Sequence, residues 1–389
     1  MRRRVLIVDN SAWCIYNFRM PLVRRLSRAD YEVWVATPID QFYSLLDKSA
    51  IYRYVPLRHL ERRGRNPFRD LLLLLELYRL YRTVRPDVVV HFTMKPVLYG
   101  ALLARLTKIR SIGVLTGLGY LFLHDNWLNR VVRRGMRLLF NGLDTLVTYN
   151  TDDRQLLVSQ AFIPPSKCTV LPGDGVDVQR FRPQPPQAGD GKFVFLFIGR
   201  MLGDKGVEEY VAAAARLNHQ CPETKFQLLA DFQFGNPNSI SARRLQEWAV
   251  QGTVQLLPTT TDVVPHLRDC DALVLPSYRE GLSRVILEAM AMGKPVITTD
   301  VPGCKDLVMH GRNGLVVPAG NARALQEAMH YLRYCPPAEL AAMGLANRRR
   351  VLQYFAEDIC MEAFMEVLER NQRVCAPVAI AKEVAPQLS

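Results

Sequence analysis

Short apolar runs alternate with longer amphipathic stretches along this chain, and the alternation predicts its elements. Residues 5–8, 32–36, 86–91, 112–115 and 145–149 are strand-like. The run Pro86-Asp-Val-Val-Val-His91 is apolar without a polar face, as expected of a strand covered on both sides in a parallel sheet. Between these runs, residues 18–28, 67–84 and 99–106 repeat apolar positions at helical spacing, with Leu and Tyr on the inner face of 67–84. Strands alternating with helices over short connections imply a doubly wound α/β unit.

The pattern breaks at residues 181–191, Phe181-Arg-Pro-Gln-Pro-Pro-Gln-Ala-Gly-Asp-Gly191, where three prolines and two glycines oppose both regular structures. It restarts with a central strand at 193–198, followed by strands at 225–229, 254–257, 273–275, 296–298 and 315–317. A chain of 389 residues is too long for one ordinary core. The division is therefore a first domain over 1–180, a linker over 181–191 and a second domain over 192–350. Residues 338–373 read as helical, a C-terminal helix assigned to 351–375 would pack across to the first domain, and 376–389 is a tail.

Hydrophobic content of 49% and charged content of 22% fit a globular protein. The aliphatic run from Leu71 to Leu75 falls far short of the roughly 20 residues of a membrane-spanning helix. Met1-Arg-Arg-Arg4 is followed by only four apolar residues before Asp9, too few for a secretion signal, so a cytoplasmic location is expected. Eight scattered cysteines lack any C-x2-C pair, so neither a disulfide framework nor a zinc site is expected. Residues 1–180 hold 28 Lys and Arg against 15 Asp and Glu, whereas 181–389 hold 22 of each. The whole positive excess lies in the first half, which suits an anionic surface or ligand there.

Two segments carry candidate chemistry. The strand at 193–198 runs into Gly199-Arg200-Met-Leu-Gly203-Asp-Lys205-Gly206, and doubly wound folds bind ligands at the carboxyl ends of their strands. Arg200 and Lys205 would set two cations against a diphosphate, with glycines allowing close backbone approach. Further on, Ser277-Tyr-Arg-Glu280-Gly281-Leu282-Ser283 leads into an apolar helix bearing Glu288. Two carboxylates eight residues apart are common by chance. Here they continue into Gly293-Lys-Pro295, Val296-Ile-Thr-Thr-Asp300-Val-Pro-Gly303-Cys-Lys-Asp306 and Gly311-Arg-Asn-Gly314-Leu-Val-Val-Pro318.

The run from Asp271 to Pro318 resembles the E-x7-E region of retaining glycosyltransferases of family 4, and Gly199–Gly206 resembles that family's G-R-x-x-x-x-K-G element. The resemblance implies a GT-B fold, two Rossmann-like domains facing a central cleft. It implies a UDP-sugar donor bound by Gly199, Arg200, Lys205, Glu280, Gly281, Leu282, Ser283 and Glu288. Glu288 would accept from ribose hydroxyls, and Glu280 with the amides of 281–283 would face the sugar and diphosphate. Transfer would retain anomeric configuration, with Glu280, Arg200, Lys205 and His91 in catalytic roles. No D-x-D element suits a metal, and Pro172–Phe181 resembles the family's interdomain turn, so no metal and no other cofactor is expected.

Within the family the chain resembles bacterial enzymes of capsule, O-antigen and lipid-linked oligosaccharide assembly, including N-acetylgalactosaminyltransferases acting on undecaprenyl-diphosphate sugars. The acceptor, a polyprenyl-diphosphate-linked sugar, would meet Asn10, Asn17, Arg19, His91, Lys95, Thr116 and Gly117. Thr116-Gly117 stands where many members carry a histidine, which makes His91 the substitute candidate, and Pro258 replaces a usual turn glycine. Arg130, Arg133, Arg134 and Arg137 share one helix face, and Arg62 and Arg63 sit in a second basic cluster. A basic amphipathic helix suits an anionic membrane surface, hence a peripheral position on the inner face of the cell membrane. Two other readings compete with this one. A sugar-nucleotide epimerase would turn over donor without acceptor, and a basic nucleic-acid-binding protein has no recognisable motif here.

Overall fold

The computed structural model describes residues 2–46, 51–61, 66–123, 127–187, 190–231 and 238–370. They form two compact units: unit 1 contains the residues up to Asp174 and those from Asp358 onward, and unit 2 contains Gly175–Glu357.

Unit 1 is built on seven parallel strands: β1 (Arg4–Val8), β2 (Glu32–Thr37), β3 (Arg53–Pro56), β4 (Val88–Phe92), β5 (Arg110–Leu115), β6 (Thr145–Thr148) and β7 (Cys168–Val170). Their order is β3-β2-β1-β4-β5-β6-β7. Val5 pairs with Val88 and Ile7 with Val90, so the two most apolar strands lie side by side at the centre. The order reverses between β1 and β4, which makes their carboxyl ends the natural ligand crevice of this unit.

Unit 2 has six strands: β8 (Phe193–Arg200), β9 (Thr224–Asp231), β10 (Gln255–Leu257), β11 (Ala272–Leu275), β12 (Val296–Thr299) and β13 (Gly314–Val317). All are parallel, in the order β10-β9-β8-β11-β12-β13. The reversal falls between β8 and β11. Phe195, Leu196 and Phe197 of β8 and all of β11 are buried in one continuous core.

Two boundaries differ from the sequence expectation. The first unit ends at Asp174, ahead of the proline-rich segment, because Val176 and Phe181 already belong to the core of unit 2. The Arg348 guanidinium fastens this stretch by donating to the carbonyls of Phe181 (2.8 Å) and Val178 (2.9 Å). The expected continuous helix is also broken. Helix Pro337–Tyr354 stays in unit 2, while helix Glu357–Glu369 belongs to unit 1. Between them, Phe355 O accepts from Val176 N–H (2.9 Å) and Glu357 N–H donates to Val176 O (3.1 Å). This strand-like bridge takes up groups that a continuing helix would need. The second helix then stacks Phe364 on Phe92, with ring centroids 6.2 Å apart. Its last carbonyls are capped by Arg110, which donates to Val367, Leu368 and Arg370.

Candidate active site

The crevice of unit 2 is formed by the loop after β8 and the loop after β11, and these are the two segments singled out by sequence. The β8 strand delivers Gly199 and Arg200 to the carboxyl edge, where the Arg200 backbone lies in strand register with residue 231 of β9. A short turn, Gly203–Lys205, then presents Lys205 before helix Val207–Asn218 begins. Gly206 joins turn to helix at φ +71°, and a Cβ there would lie 2.0 Å from Pro276 O, so only glycine lets the two loops approach. The Tyr278 N–H donates to Asp204 O at 2.9 Å across the same contact.

That approach brings Lys205 to Glu280, 75 residues away in sequence. The ammonium is ion-paired with Glu280 Oε1, and Ser277 Oγ donates to the same oxygen at 2.8 Å. Both side chains of the pair are 14% exposed, and Ser277 is fully buried. The carboxylate is therefore fixed by an ammonium and a hydroxyl on one oxygen. Ser277 was not among the sequence-predicted residues; its position three before Glu280 was the available signal.

Beyond this loop, helix Arg284–Ala291 carries Glu288. The Arg284 Nε–H donates to Glu288 Oε1 at 3.1 Å, a pair that i,i+4 spacing anticipates. Burial pushes Glu288 above the ordinary carboxylate range, opposed by Arg284 and by the charge of Arg180. The Ser283 amide is not a donor for a ligand, contrary to expectation. It donates to Gly303 O at 3.2 Å, and the Glu280 amide donates to Pro302 O at 3.1 Å. Gly303 sits at φ +77° and a Cβ there would come within 2.6 Å of Glu280 O. Its own amide donates to Asp306 Oδ2 at 2.7 Å. The loop after β12 thus braces the Glu280 loop.

The resulting group of a paired carboxylate, a second raised carboxylate and two cations at a switch point suits a polyanion bearing hydroxyls. Comparison with known proteins agrees. Residues 20–180 match a family described as Glycosyltransferase Family 4 and residues 192–333 one described as Glycosyl transferases group 1. The chain belongs to the family 4, group 1 glycosyltransferases.

A relative from Campylobacter jejuni, named N,N'-diacetylbacillosaminyl-diphospho-undecaprenol alpha-1,3-N-acetylgalactosaminyltransferase, is 26% identical, covering 94% of this chain and 98% of its own. An Escherichia coli relative, UDP-Gal:alpha-D-GlcNAc-diphosphoundecaprenol alpha-1,3-galactosyltransferase, is 24% identical over 86% and 91%. In fold, the glycosyltransferase is similar to sucrose-phosphate synthase from Thermosynechococcus elongatus, with a TM-score of 0.81 at 18% identity over 94% of this chain and 98% of the other. It is also similar to Anabaena HepE in complex with UDP and glucose, with a TM-score of 0.75 at 19% identity over 94% and 99%. These neighbours are GT-B proteins.

Unit 1 of the glycosyltransferase redistributes the expected acceptor residues. Asn10 follows β1, Lys95 lies just beyond β4, and Thr116 and Gly117 follow β5, so adjacent strands bring these to one sheet edge. Thr93, also at this edge, is a non-glycine residue at φ +69°, which sequence did not flag. Lys95 is ion-paired with Asp70 at 2.6 Å, so its charge is already met within the unit. Asn17 donates through Nδ2 to Trp13 O at 3.0 Å inside a π-turn, Ile15–Arg19.

Two expectations are overturned. Arg19 is not at a ligand surface: it is 2% exposed, ion-paired with Asp9 (3.0 Å) and Asp174, and its guanidinium lies 3.9 Å over the Phe92 ring. Burial opposes its charge, but Asp174, Tyr149 and Asp9 outweigh that and hold it above its ordinary value. His91 is a core residue, not a catalytic or acceptor-binding one. It is fully buried within β4, with Nε2 bonded to the Tyr81 hydroxyl and Nδ1 3.3 Å from Ser111 Oγ. Burial lowers its pKa to about 3, and the Gly100 Cα faces its ring so closely that a Cβ would lie 2.3 Å away.

Of the basic residues, Arg62 and Arg63 lie outside the described residues. Arg130, Arg133, Arg134 and Arg137 fall on helix Trp127–Leu139, where with Gln160 and Phe162 they line one pocket. Among the described residues no helix is long and apolar enough to cross a membrane.

Proposed function

We propose that this glycosyltransferase moves a hexose or N-acetylhexosamine from a UDP-sugar to a polyprenyl-diphosphate-linked saccharide, with retention, at the inner face of the membrane. The observation that carries the reading is the Lys205–Glu280–Ser277 cluster locked at the β8/β11 crevice. The relatives' names supply the acceptor class, and the chain's coverage of them is nearly complete.

In this reading the diphosphate of the donor lies against Arg200 and Lys205, where opposite charge in a partly buried site is worth most. Lys205 has three donor hydrogens and can hold Glu280 and a phosphate oxygen together. Glu280, fixed through one oxygen, offers the other to a sugar hydroxyl. Glu288 accepts from the ribose, since a raised carboxylate gains from hydroxyl donors that replace lost water. The acceptor hydroxyl oxygen forms the new bond to the anomeric carbon on the face from which UDP leaves. The carbon–oxygen bond to UDP breaks, and the hydroxyl proton passes to the departing diphosphate. Charge on the leaving group is met by Arg200 and Lys205 without a metal ion.

The test is UDP release from a panel of UDP-sugars, with and without a short polyprenyl-diphosphate-linked sugar, for wild type, Lys205→Ala and Glu288→Ala. Acceptor-dependent release with one donor, lost in both variants, is expected. Release that ignores the acceptor, or variants that match wild type, would sink the assignment.

A further inference from the structure

Lys205 stands in a turn of three residues, Gly203–Lys205, and a turn that short cannot hold its own shape. Part of its support comes from the Tyr278 amide and from the close contact at Gly206. The rest comes from residues 238–240. Strand β9 runs parallel to β8, but residues 238–240 lie antiparallel to the continuation of β8, with a bridge between Leu202 and Ser239. On either side of that bridge, Gly203 N–H donates to Asn238 O and Ile240 N–H donates to Met201 O, each at 2.9 Å. These main-chain bonds lay a strap along the loop without depending on any side chain.

One side chain adds to them. The Asn238 Nδ2–H donates to Asp204 Oδ1 at 2.5 Å. Its Oδ1 lies against Gly203, where a Cβ would come within 3.1 Å of it. The amide thus crosses the turn and holds the carboxylate of the residue immediately before Lys205. Asp204 is fixed at both ends, its carbonyl by the Tyr278 amide at 2.9 Å and its carboxylate by Asn238. A hydrogen bond to an ionised acceptor is stronger than one between neutral groups. A carboxylate released from it would compete with a bound diphosphate for the nearby cations.

We propose that Asn238 is a positioning residue for the donor's diphosphate: by clasping Asp204 it fixes the backbone from which Lys205 reaches, and keeps a competing carboxylate off Lys205 and Arg200. Placing a diphosphate at this turn rests on the proposed function. The clasp itself does not.

UDP and UMP affinities are measured by titration calorimetry for wild type, Asn238→Ala, Asn238→Asp, and Asn238→Asp combined with Asp204→Asn. Asn238→Ala should lower UDP affinity about tenfold, and Asn238→Asp, which sets two carboxylates together, by more. UMP affinity should fall no more than about threefold in either, so the preference for the diphosphate shrinks. The combined variant restores an amide-to-carboxylate bond with its polarity reversed and should return to within about threefold of wild type. Equal losses for UDP and UMP, or a combined variant no better than Asn238→Asp, overturn the positioning role. Without nucleotide, hydrogen exchange over residues 199–206 should quicken at least threefold in Asn238→Ala. Unchanged exchange there would overturn the clasp. Failure of the donor reading looks different. Wild type that binds no UDP, yet shows the quickened exchange on substitution, keeps the clasp and rejects the donor; UDP binding that the variants leave untouched does the reverse.

Discussion

Replacing Lys205 by Met should leave Glu280 a largely buried carboxylate held only by the Ser277 hydroxyl. Breaking a buried pair from one side typically costs about 3–5 kcal/mol, because the remaining charge is uncompensated. With 14% exposure on both partners and one hydroxyl bond kept, about 2–3 kcal/mol is expected here. Glu280→Gln strands the ammonium instead, but a lysine stem can carry its charge toward water, so about 1–2 kcal/mol is expected. The double variant should lie within about 1 kcal/mol of wild type, a coupling of at least about 2 kcal/mol. Urea unfolding can be followed by ¹⁹F NMR of fluorotryptophan-labelled protein, since Trp248 is the one tryptophan in residues 175–357. All three variants should lose acceptor-dependent UDP release, so stability returns in the double variant while activity does not. Additive single effects, with coupling under about 0.5 kcal/mol, would refute the argument. They would mean that Lys205 does not hold Glu280 in place.

His91 should give unit 1 a pH-dependent stability. Its folded pKa is about 3 against an ordinary 6.5, so its contribution is whole above pH 6.5. It is lost as pH falls, by up to about 1.4 kcal/mol per unit, or about 2 kcal/mol by pH 5. Urea midpoints at pH 7 and 5 should show a smaller acid loss in His91→Gln than in wild type; parallel curves would contradict this. Gly206→Ala must both adopt φ +71° and displace Pro276 O, so UDP affinity should fall at least tenfold by titration calorimetry, beyond the roughly 1–2 kcal/mol of left-handed strain alone. UDP release should persist in EDTA if Arg200 and Lys205 carry the leaving-group charge; abolition by EDTA with recovery on adding Mg²⁺ would transfer that role to a metal.

Much of the architecture was legible because the central strands are apolar on both faces. Residues 5–8, 193–198 and 296–298 were placed within a residue or two of β1, β8 and β12. Strands β3 and β7 were missed for opposite reasons. Arg53–Pro56 is half-exposed and carries Arg and Pro at an edge, whereas Cys168–Val170 is buried but only three residues long. Helix Met94–Thr107 begins five residues before expectation because its first turn, with Pro96, resembles a loop. At the site, the pairing of Lys205 with Glu280 depends on β8 and β11 being neighbours, which strand periodicity cannot tell. The errors at Arg19 and His91 share a cause: both lie near strand ends of unit 1, but sequence does not reveal which way a side chain turns. Arg19 turns inward to two carboxylates, and His91 to Tyr81 and Ser111.

Helix Glu357–Glu369 closes unit 1 although nearly the whole of unit 2 is synthesised before it. On a ribosome, Gly175–Glu357 emerges as one uninterrupted stretch and can fold as soon as it is clear of the tunnel. The earlier-made strands cannot complete their unit, because Phe92 still lacks Phe364 and Arg110 still lacks the three carbonyls it caps. The usual order, in which the N-terminal domain matures first, is therefore inverted. Until the residues beyond Glu357 have also emerged, the chain displays an unfinished first unit to chaperones and proteases.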